Sequence, residues 1–376
     1  MVDEIGVLGA GGEGLAVTAY LASLGHRVRL CTRNPRRVAG VRDSGELRAT
    51  GELVGRFPVA QVTSDPAELA RRCRVVVVAA ITTAYPEIAA SLAPHLDDEH
   101  VVVLFSGKLC GSAEFAAHLR AGGAPGVDVV ETDALFAARP DGVDGVQVLG
   151  MKRWNLISGA HAAAVDRWAP TIREWFPRLE PATNLVHRGL TDFGAVAHAP
   201  IALANLGTID RREPLLFYRE GVSDRTVALL TQVEQEFREV AAAYGAELMP
   251  MPEVLDRYYG CTTTSLLEAM RSAEPYKAIL APGSLDHRFL HEDIASTLVP
   301  LEALAAEAGI DTPMVGSIIT IMSTLSGNSF RRDGRTLDRL GWADLGHQEI
   351  RRLLTPAGSD DARTSPPARG RAVAAV

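Results

Sequence analysis

The chain has 376 residues, long enough for two cored domains, and its 47% hydrophobic and 22% charged residues are ordinary for a soluble globular protein. A formal net charge of −8 argues against a general nucleic-acid or anionic-membrane surface, so any phosphate recognition must be local. The four cysteines (Cys31, Cys73, Cys110, Cys261) are far apart with no C-x-x-C, which excludes a disulfide framework or a zinc motif and reads as reduced thiols in a cytoplasmic protein. Met1-Val2-Asp3-Glu4 runs straight into an apolar segment, leaving no room for a signal peptide, and no apolar run is long enough to span a bilayer.

The first element is a short apolar run ending at Gly9, followed by a helix-compatible segment from Gly14. Between them Gly9, Gly11 and Gly14 form G-x-G-x-x-G, with Gly12 inside it. In a dinucleotide-binding βα turn the first glycine permits the tight turn, the second lets backbone approach a pyrophosphate, and the third lets helix and strand pack closely. The phosphates would meet the unpaired N–H groups of a helix N-terminus, where the macrodipole favours negative charge. Leu15, Ala19, Ala22 and Leu24 continue at helical spacing and Gly25 closes the helix. A second strand follows at 28–32. Where a site for NAD(H) commonly carries an acid for the ribose hydroxyls, this chain has Thr32-Arg33-Asn34, then Arg36 and Arg37. Arg33, Asn34 and Arg37 are thus candidates to hold a 2′-phosphate, favouring NADP(H) over NAD(H); a solvated basic loop is the plainer reading.

Asp65-Pro66-Ala67-Glu68 is a compact helix start. Runs at 75–80 and 101–105 read as parallel strands buried on both faces. Thr82, Thr83 and Ser106-Gly107-Lys108 follow them, at the edge where ligands bind in such sheets, which makes Thr82 a candidate cofactor contact. Lys108 reads more simply as an exposed loop lysine than as a substrate contact. Segments 127–130, 146–149 and 155–157 are expected to complete the sheet with an antiparallel edge.

From about residue 185 strand signals vanish, so the fold class is α/β, a Rossmann-type domain over 1–184 followed by an all-α domain over 185–355. Val227, Leu230, Phe237, Ala241 and Tyr244 share one helical face, with Glu234 the odd residue in the series; Ser223-Asp224 caps the start and Gly245 the end. Further helices are expected at 190–207, 264–274, 292–308 and 312–325. The tail from Pro356, rich in Pro, Ala, Arg and Ser, reads as disordered.

Two stretches of the second domain carry chemistry. His198 lies in an apolar helical setting with Asn205 two turns on; a lone histidine there is more often a satisfied core residue than a catalyst. In Leu285-Asp286-His287-Arg288-Phe289-Leu290-His291-Glu292-Asp293, Arg288 and Glu292 have the spacing of a simple helical ion pair.

Taken together with further segments in the same order, these stretches resemble the octopine/nopaline (opine) dehydrogenase family over residues 4–345. The segments are the glycine fingerprint, Glu131-Thr132 with Arg139, and the His198 stretch into Asn205-Leu206-Gly207-Thr208-Ile209-Asp210. They continue with Phe217-Tyr218-Arg219-Glu220-Gly221, Asp286–Asp293, and Gly334-Arg335-Thr336-Leu337. The resemblance implies an enzyme that joins an amino-acid amine to an α-keto acid and reduces the imine with NAD(P)H. It implies His198 as the catalytic histidine, Arg288 as the substrate-binding arginine and Asp293 as the acid supporting the histidine. Histidine suits proton delivery near neutral pH, and a guanidinium fork suits a carboxylate. An uninterrupted helix would point Arg288 and Asp293 about 140° apart. They are therefore expected to converge with Arg288 on the approach loop and Asp293 in the first helical turn. Two departures stand out: Ala199 separates His198 from Pro200, and Thr191-Asp192-Phe193-Gly194 replaces an Asn-rich run. Asp192 and Asn205 are accordingly candidate substrate contacts. A ketone or preformed-imine reductase of the ketopantoate reductase or glycerol-3-phosphate dehydrogenase type, and a dinucleotide sensor without chemistry, are the alternatives. Small-molecule amino and keto acids are the expected partners, with no nucleic acid and no membrane; a homodimer is compatible with the sequence, which does not decide the oligomeric state.

Overall fold

The computed structural model describes residues 4–285 and 287–355, and of Arg288 and Phe289 the backbone only. The expected disordered tail from Pro356 lies outside the described residues. Twelve strands are described: β1 Glu4–Leu8, β2 Arg27–Cys31, β3 Glu46–Gly51, β4 Gly55–Pro58, β5 Gln61–Thr63, β6 Val75–Val78, β7 Val101–Phe105, β8 Asp128–Thr132, β9 Phe136–Asp141, β10 Gly145–Met151, β11 Asn155–Gly159 and β12 Leu179–Pro181.

Eight of them form one sheet in the order β12-β11-β8-β7-β6-β1-β2-β5, parallel except where β11 runs antiparallel to β8. The all-valine β6 and the Val-Val-Val-Leu-Phe of β7 are buried along their whole length, as central parallel strands covered on both faces must be. The chain reverses direction across the sheet between β1 and β6, so the crevice beyond their carboxyl ends is the expected ligand site.

The segment at 146–149 does not complete this sheet. It lies in β10 of a separate four-stranded sheet, β4-β3-β10-β9, between β3 and β9. Val146 and Val148 are buried there on the first helix, Gly12–Ser23, so the apolar run was read correctly while its partner was not. Nor is the antiparallel strand β11 an edge, because β12 pairs with its outer side.

The strands end at Pro181 and the rest is helical, from Leu185–Leu190 onward. Asp224–Ala243 is its central helix. Ser223 caps it through the Thr226 N–H, Gly245 takes the left-handed conformation (φ +77°) after its end, and Leu230, Val233, Phe237 and Val240 are fully buried. Each such side chain contributes about 1.5–3 kcal/mol relative to exposure. Glu234, the odd polar position, accepts from the Met251 N–H at the start of helix Met251–Tyr259. The helix expected over 190–207 is divided: Asp192 starts Phe193–Ala204 and a new helix runs Leu206–Asp210. The helix expected over 292–308 begins at Arg288, passes through a π-helical segment, Ile294–Leu298, and resumes as Val299–Ala308. No helix among the described residues is long and apolar enough to cross a membrane.

Candidate active site

The glycine turn after β1 has the geometry its spacing requires. Gly9 has φ +123°, and a Cβ there would lie 2.2 Å from the Ala79 carbonyl oxygen after β6. A Cβ on Gly14 would lie 2.0 Å from the Gly9 carbonyl oxygen, and one on Gly12 2.0 Å from that of Ala138 in β9. Gly11 alone of the four would meet nothing within 4 Å. Three positions are closed by protein backbone, and the fourth is open at the N-cap of a helix without a side-chain cap. That is the cradle a dinucleotide pyrophosphate fits. Glu13, next in the turn, accepts from the N–H groups of Leu135 (2.9 Å) and Phe136 (3.2 Å) and so fastens the turn to the chain beyond β8. Burial pushes its carboxyl up to about 8, against the pull of those N–H groups and of Lys152.

After β2, Arg33 and Arg37 are exposed; Arg33 pairs with the exposed Glu87 at 2.8 Å. Asn34 accepts from the Arg36 N–H and holds the turn Pro35–Val38. No acid follows β2 before Asp43. Thr82 is not open to a cofactor. It is 2% exposed, its N–H donates to Glu292 at 2.9 Å, and its hydroxyl lies 2.7 Å from Ser296. The sheet edge that binds ligands in such folds is here also where the helical half docks.

At this junction His198 and Asp293 meet. His198 Nδ1 lies 2.5 Å from Asp293 Oδ2, and Nε2 lies 2.7 Å from the Tyr218 hydroxyl. Asp293 is 1% exposed. It is the last residue of Arg288–Asp293, where the helix widens into the π segment, a local geometry often found at functional sites. The expected arrangement, Arg288 on a loop and Asp293 in a first turn, is therefore replaced: the helix starts at Arg288 and Asp293 lies at its far end. The Arg288 side chain lies outside the described residues.

Lys108, which read as an exposed loop lysine, is 7% exposed. Its ammonium lies 2.8 Å from Asp192 Oδ2 and 2.7 Å from Asp293 Oδ1. Burial would lower its pKa, but the two carboxylates more than offset this and hold it well above the ordinary lysine value. Burial likewise acts to raise Asp192 and Asp293, and the Lys108 charge holds both below the usual carboxylate range, with His198 adding to the effect on Asp293. Asp192 is itself 3% exposed, and its Oδ1 accepts from the Gly194 N–H as the N-cap of the His198 helix. Asp192 thus faces protein with both oxygens, in place of the substrate contact expected. Asn205 is half-buried; its Nδ2 donates to the Ile201 and Gly221 carbonyls and ties the helix end to the loop carrying Tyr218.

The loop that presents Lys108 is strained and braced. Ser106, Lys108 and Cys110 all have positive φ (70°, 59° and 63°), each costing about 1–3 kcal/mol for a non-glycine residue. Arg188, ion-paired to Glu131 at 2.6 Å, donates to the Lys108 carbonyl. Arg335, paired to Glu114 at 2.7 Å, reaches the carbonyls of Gly107, Leu109 and Ser296 within 3.0 Å. Pro300, lacking an N–H, leaves the Ser296 carbonyl without its helical donor, and that oxygen also accepts from the Leu109 N–H at 3.1 Å. Lys108, Tyr218, Arg188 and Glu114 were not assigned roles from the sequence. The available signals were a lysine directly after a buried strand and charged residues inside otherwise apolar helices.

The family of NAD/NADP octopine/nopaline dehydrogenases, alpha-helical domain, matches residues 181–326, and the ketopantoate reductase PanE/ApbA family matches residues 5–113. An opine dehydrogenase of Arthrobacter sp. (strain 1C) is 30% identical over 353 residues, 92% of this chain and 97% of that protein. A vitopine synthase of Allorhizobium ampelinum is 24% identical over 89% of this chain and 94% of its own. A solved octopine dehydrogenase in complex with NADH and agmatine has the same fold, with TM-score 0.75 at 20% identity, covering 90% of this chain and 95% of that one. The chain belongs to the opine dehydrogenase family of NAD(P)-dependent oxidoreductases.

Proposed function

We propose that the protein is an NADP(H)-favouring opine dehydrogenase whose domains meet near residue 184. It would condense an amino-acid amine with an α-keto acid and reduce the resulting imine, with His198 as proton donor. The His198–Asp293 hydrogen bond at the carboxyl edge of the dinucleotide-binding sheet is the observation that carries this reading. With Asp293 on Nδ1, the imidazole is held with Nε2 directed toward the Tyr218 hydroxyl, and the carboxylate stabilises the imidazolium that a proton donor must be before it acts. A nicotinamide cofactor held there would supply the hydride. Gly11 leaves room for its pyrophosphate. Arg33, Arg36 and Arg37, in place of an acid after β2, support the preference for a 2′-phosphate. Arg288 is the candidate for the keto-acid carboxylate, and a cytoplasmic location fits small-molecule substrates and reduced cysteines.

The test crosses a panel of amino acids with pyruvate, 2-oxoglutarate and glyoxylate, following NADPH and NADH oxidation. Cofactor consumption that requires both amine and keto acid, and favours NADPH, is the expected result. Keto-acid reduction that ignores the amine would establish a ketone reductase instead, and tight cofactor binding without turnover on the whole panel would establish a sensor.

A further inference from the structure

We propose that Lys108 and Asp192 are positioning residues that set the charge His198 faces, Asp192 neutralising Lys108 so that Asp293 keeps a full negative charge for the imidazole. The proposal rests on the reading of His198 as proton donor. One cation lies between two buried anions, at 2.8 and 2.7 Å, and only Asp293 also reaches the histidine. Before His198 is counted the group therefore carries one net negative charge, and it becomes neutral only when His198 is an imidazolium. A buried group of charges is most stable when balanced, so the charges of Lys108 and Asp192 bear on the histidine through Asp293.

Each member comes from a different place in the fold. Lys108 is on the loop after β7, Asp192 at the start of the His198 helix, and Asp293 at the end of Arg288–Asp293. The other charged or titratable groups near them include Tyr218 and Tyr258, Glu292 beside Asp293, and two close ion pairs, Lys152 with Asp133 and Arg188 with Glu131. Three left-handed non-glycine residues in five positions, held by two buried arginines, deliver one ammonium to this point. A loop serving only as a connection has no need of that strain. Because Lys108 belongs to the dinucleotide-binding half and both carboxylates to the helical half, the same contact also fixes the dyad relative to the cofactor sheet.

The test uses the full-length protein labelled with isotopic histidine. The His198 imidazole is followed by NMR against pH, its signal assigned by its disappearance in His198→Asn. Asp192→Asn is nearly isosteric and keeps an N-cap, so it is expected to fold. It leaves Lys108 to cancel Asp293, and the His198 titration should move to lower pH by about one to three units. Adding Lys108→Met to Asp192→Asn removes the cation as well and should bring the midpoint back toward the wild-type position. A brace without electrostatic function predicts no shift in the single variant and further damage in the double; either an unmoved midpoint or a double variant shifted further down would overturn the proposal. Rates with the substrates identified by the panel separate the two readings. If the midpoint moves as expected while the alkaline limb of the reductive rate stays in place, the charge arrangement stands and His198 is not the proton donor.

Discussion

The glycine turn and the His198 cluster solve their problems by opposite means. The turn is local: six consecutive positions, Gly9 to Gly14, whose function depends on what is missing, since three absent Cβ atoms let backbone meet backbone and the fourth leaves an opening. The cluster is assembled from Lys108, Asp192, His198, Tyr218 and Asp293, drawn from 186 positions of chain (108 to 293), and depends on buried charges that tolerate one another only in the folded arrangement. A site of the first kind can be recognised from spacing. A site of the second kind has no such signature, because only Asp192 and His198 share a helix and the other members come from elsewhere in the chain.

The largest expected effect tests whether the cluster is chemical or only structural. His198→Ala should bind NADPH as the wild type does while turnover per active site falls by about 10²–10⁴. A core histidine predicts the reverse: a lower melting temperature with normalised turnover unchanged. Asp293→Asn should keep the imidazole in place but remove its counter-charge, so the reductive rate should decline at a lower pH than in the wild type.

A smaller effect, about tenfold to a hundredfold, is expected at the edge of the nucleotide site. Arg33→Ala with Arg37→Ala should narrow the preference for NADPH over NADH, the loss of charge-assisted phosphate contacts amounting to about 1.5–3 kcal/mol. Equal Michaelis constants for both cofactors in the wild type would remove the premise. Within the turn, Gly11→Ala and Gly14→Ala should separate binding from folding. Gly11→Ala fills open space, so it should melt like the wild type and weaken dinucleotide affinity by about tenfold, or about 1.4 kcal/mol. Gly14→Ala drives a methyl onto the Gly9 carbonyl and should cost about 1–3 kcal/mol of stability. Identical behaviour of the two variants would contradict the division of labour drawn here.

A further effect, set apart by its dependence on pH, concerns Glu13. A carboxyl whose pKa is raised on folding, from 4.5 to about 8, binds more protons in the native than in the unfolded state, so its contribution makes stability fall as pH rises across that interval. Glu13→Gln should therefore gain melting temperature relative to the wild type as pH climbs from about 4.5 to 8, and no further above it. A difference between the two that is flat in pH would show that Glu13 ionises freely in the fold.

Some errors of the sequence reading have a common cause. The run at 146–149 is a strand as expected, yet β10 pairs with β3, almost a hundred residues earlier, and periodicity does not name a partner. Lys108 follows a buried strand in a polar loop, and nothing adjacent indicates that two carboxylates from the helical half will cover it. Thr82 was placed correctly at the carboxyl edge, but the helix carrying Glu292 and Ser296 covers it. Asp192 departs from the family pattern, and its two oxygens hold the Gly194 N–H and the Lys108 ammonium.

What the sequence determined by itself was whatever short-range sterics and periodicity control: the left-handed turn at Gly9, the fully buried β6 and β7, the capped helix Asp224–Ala243, and the change from strands to helices after Pro181. The ordered motifs also determined the family. Only the tertiary structure decided which charges meet. An ion's protonation and worth depend on its burial and its neighbours within a few ångströms, and for Lys108 those neighbours lie 84 and 185 residues away.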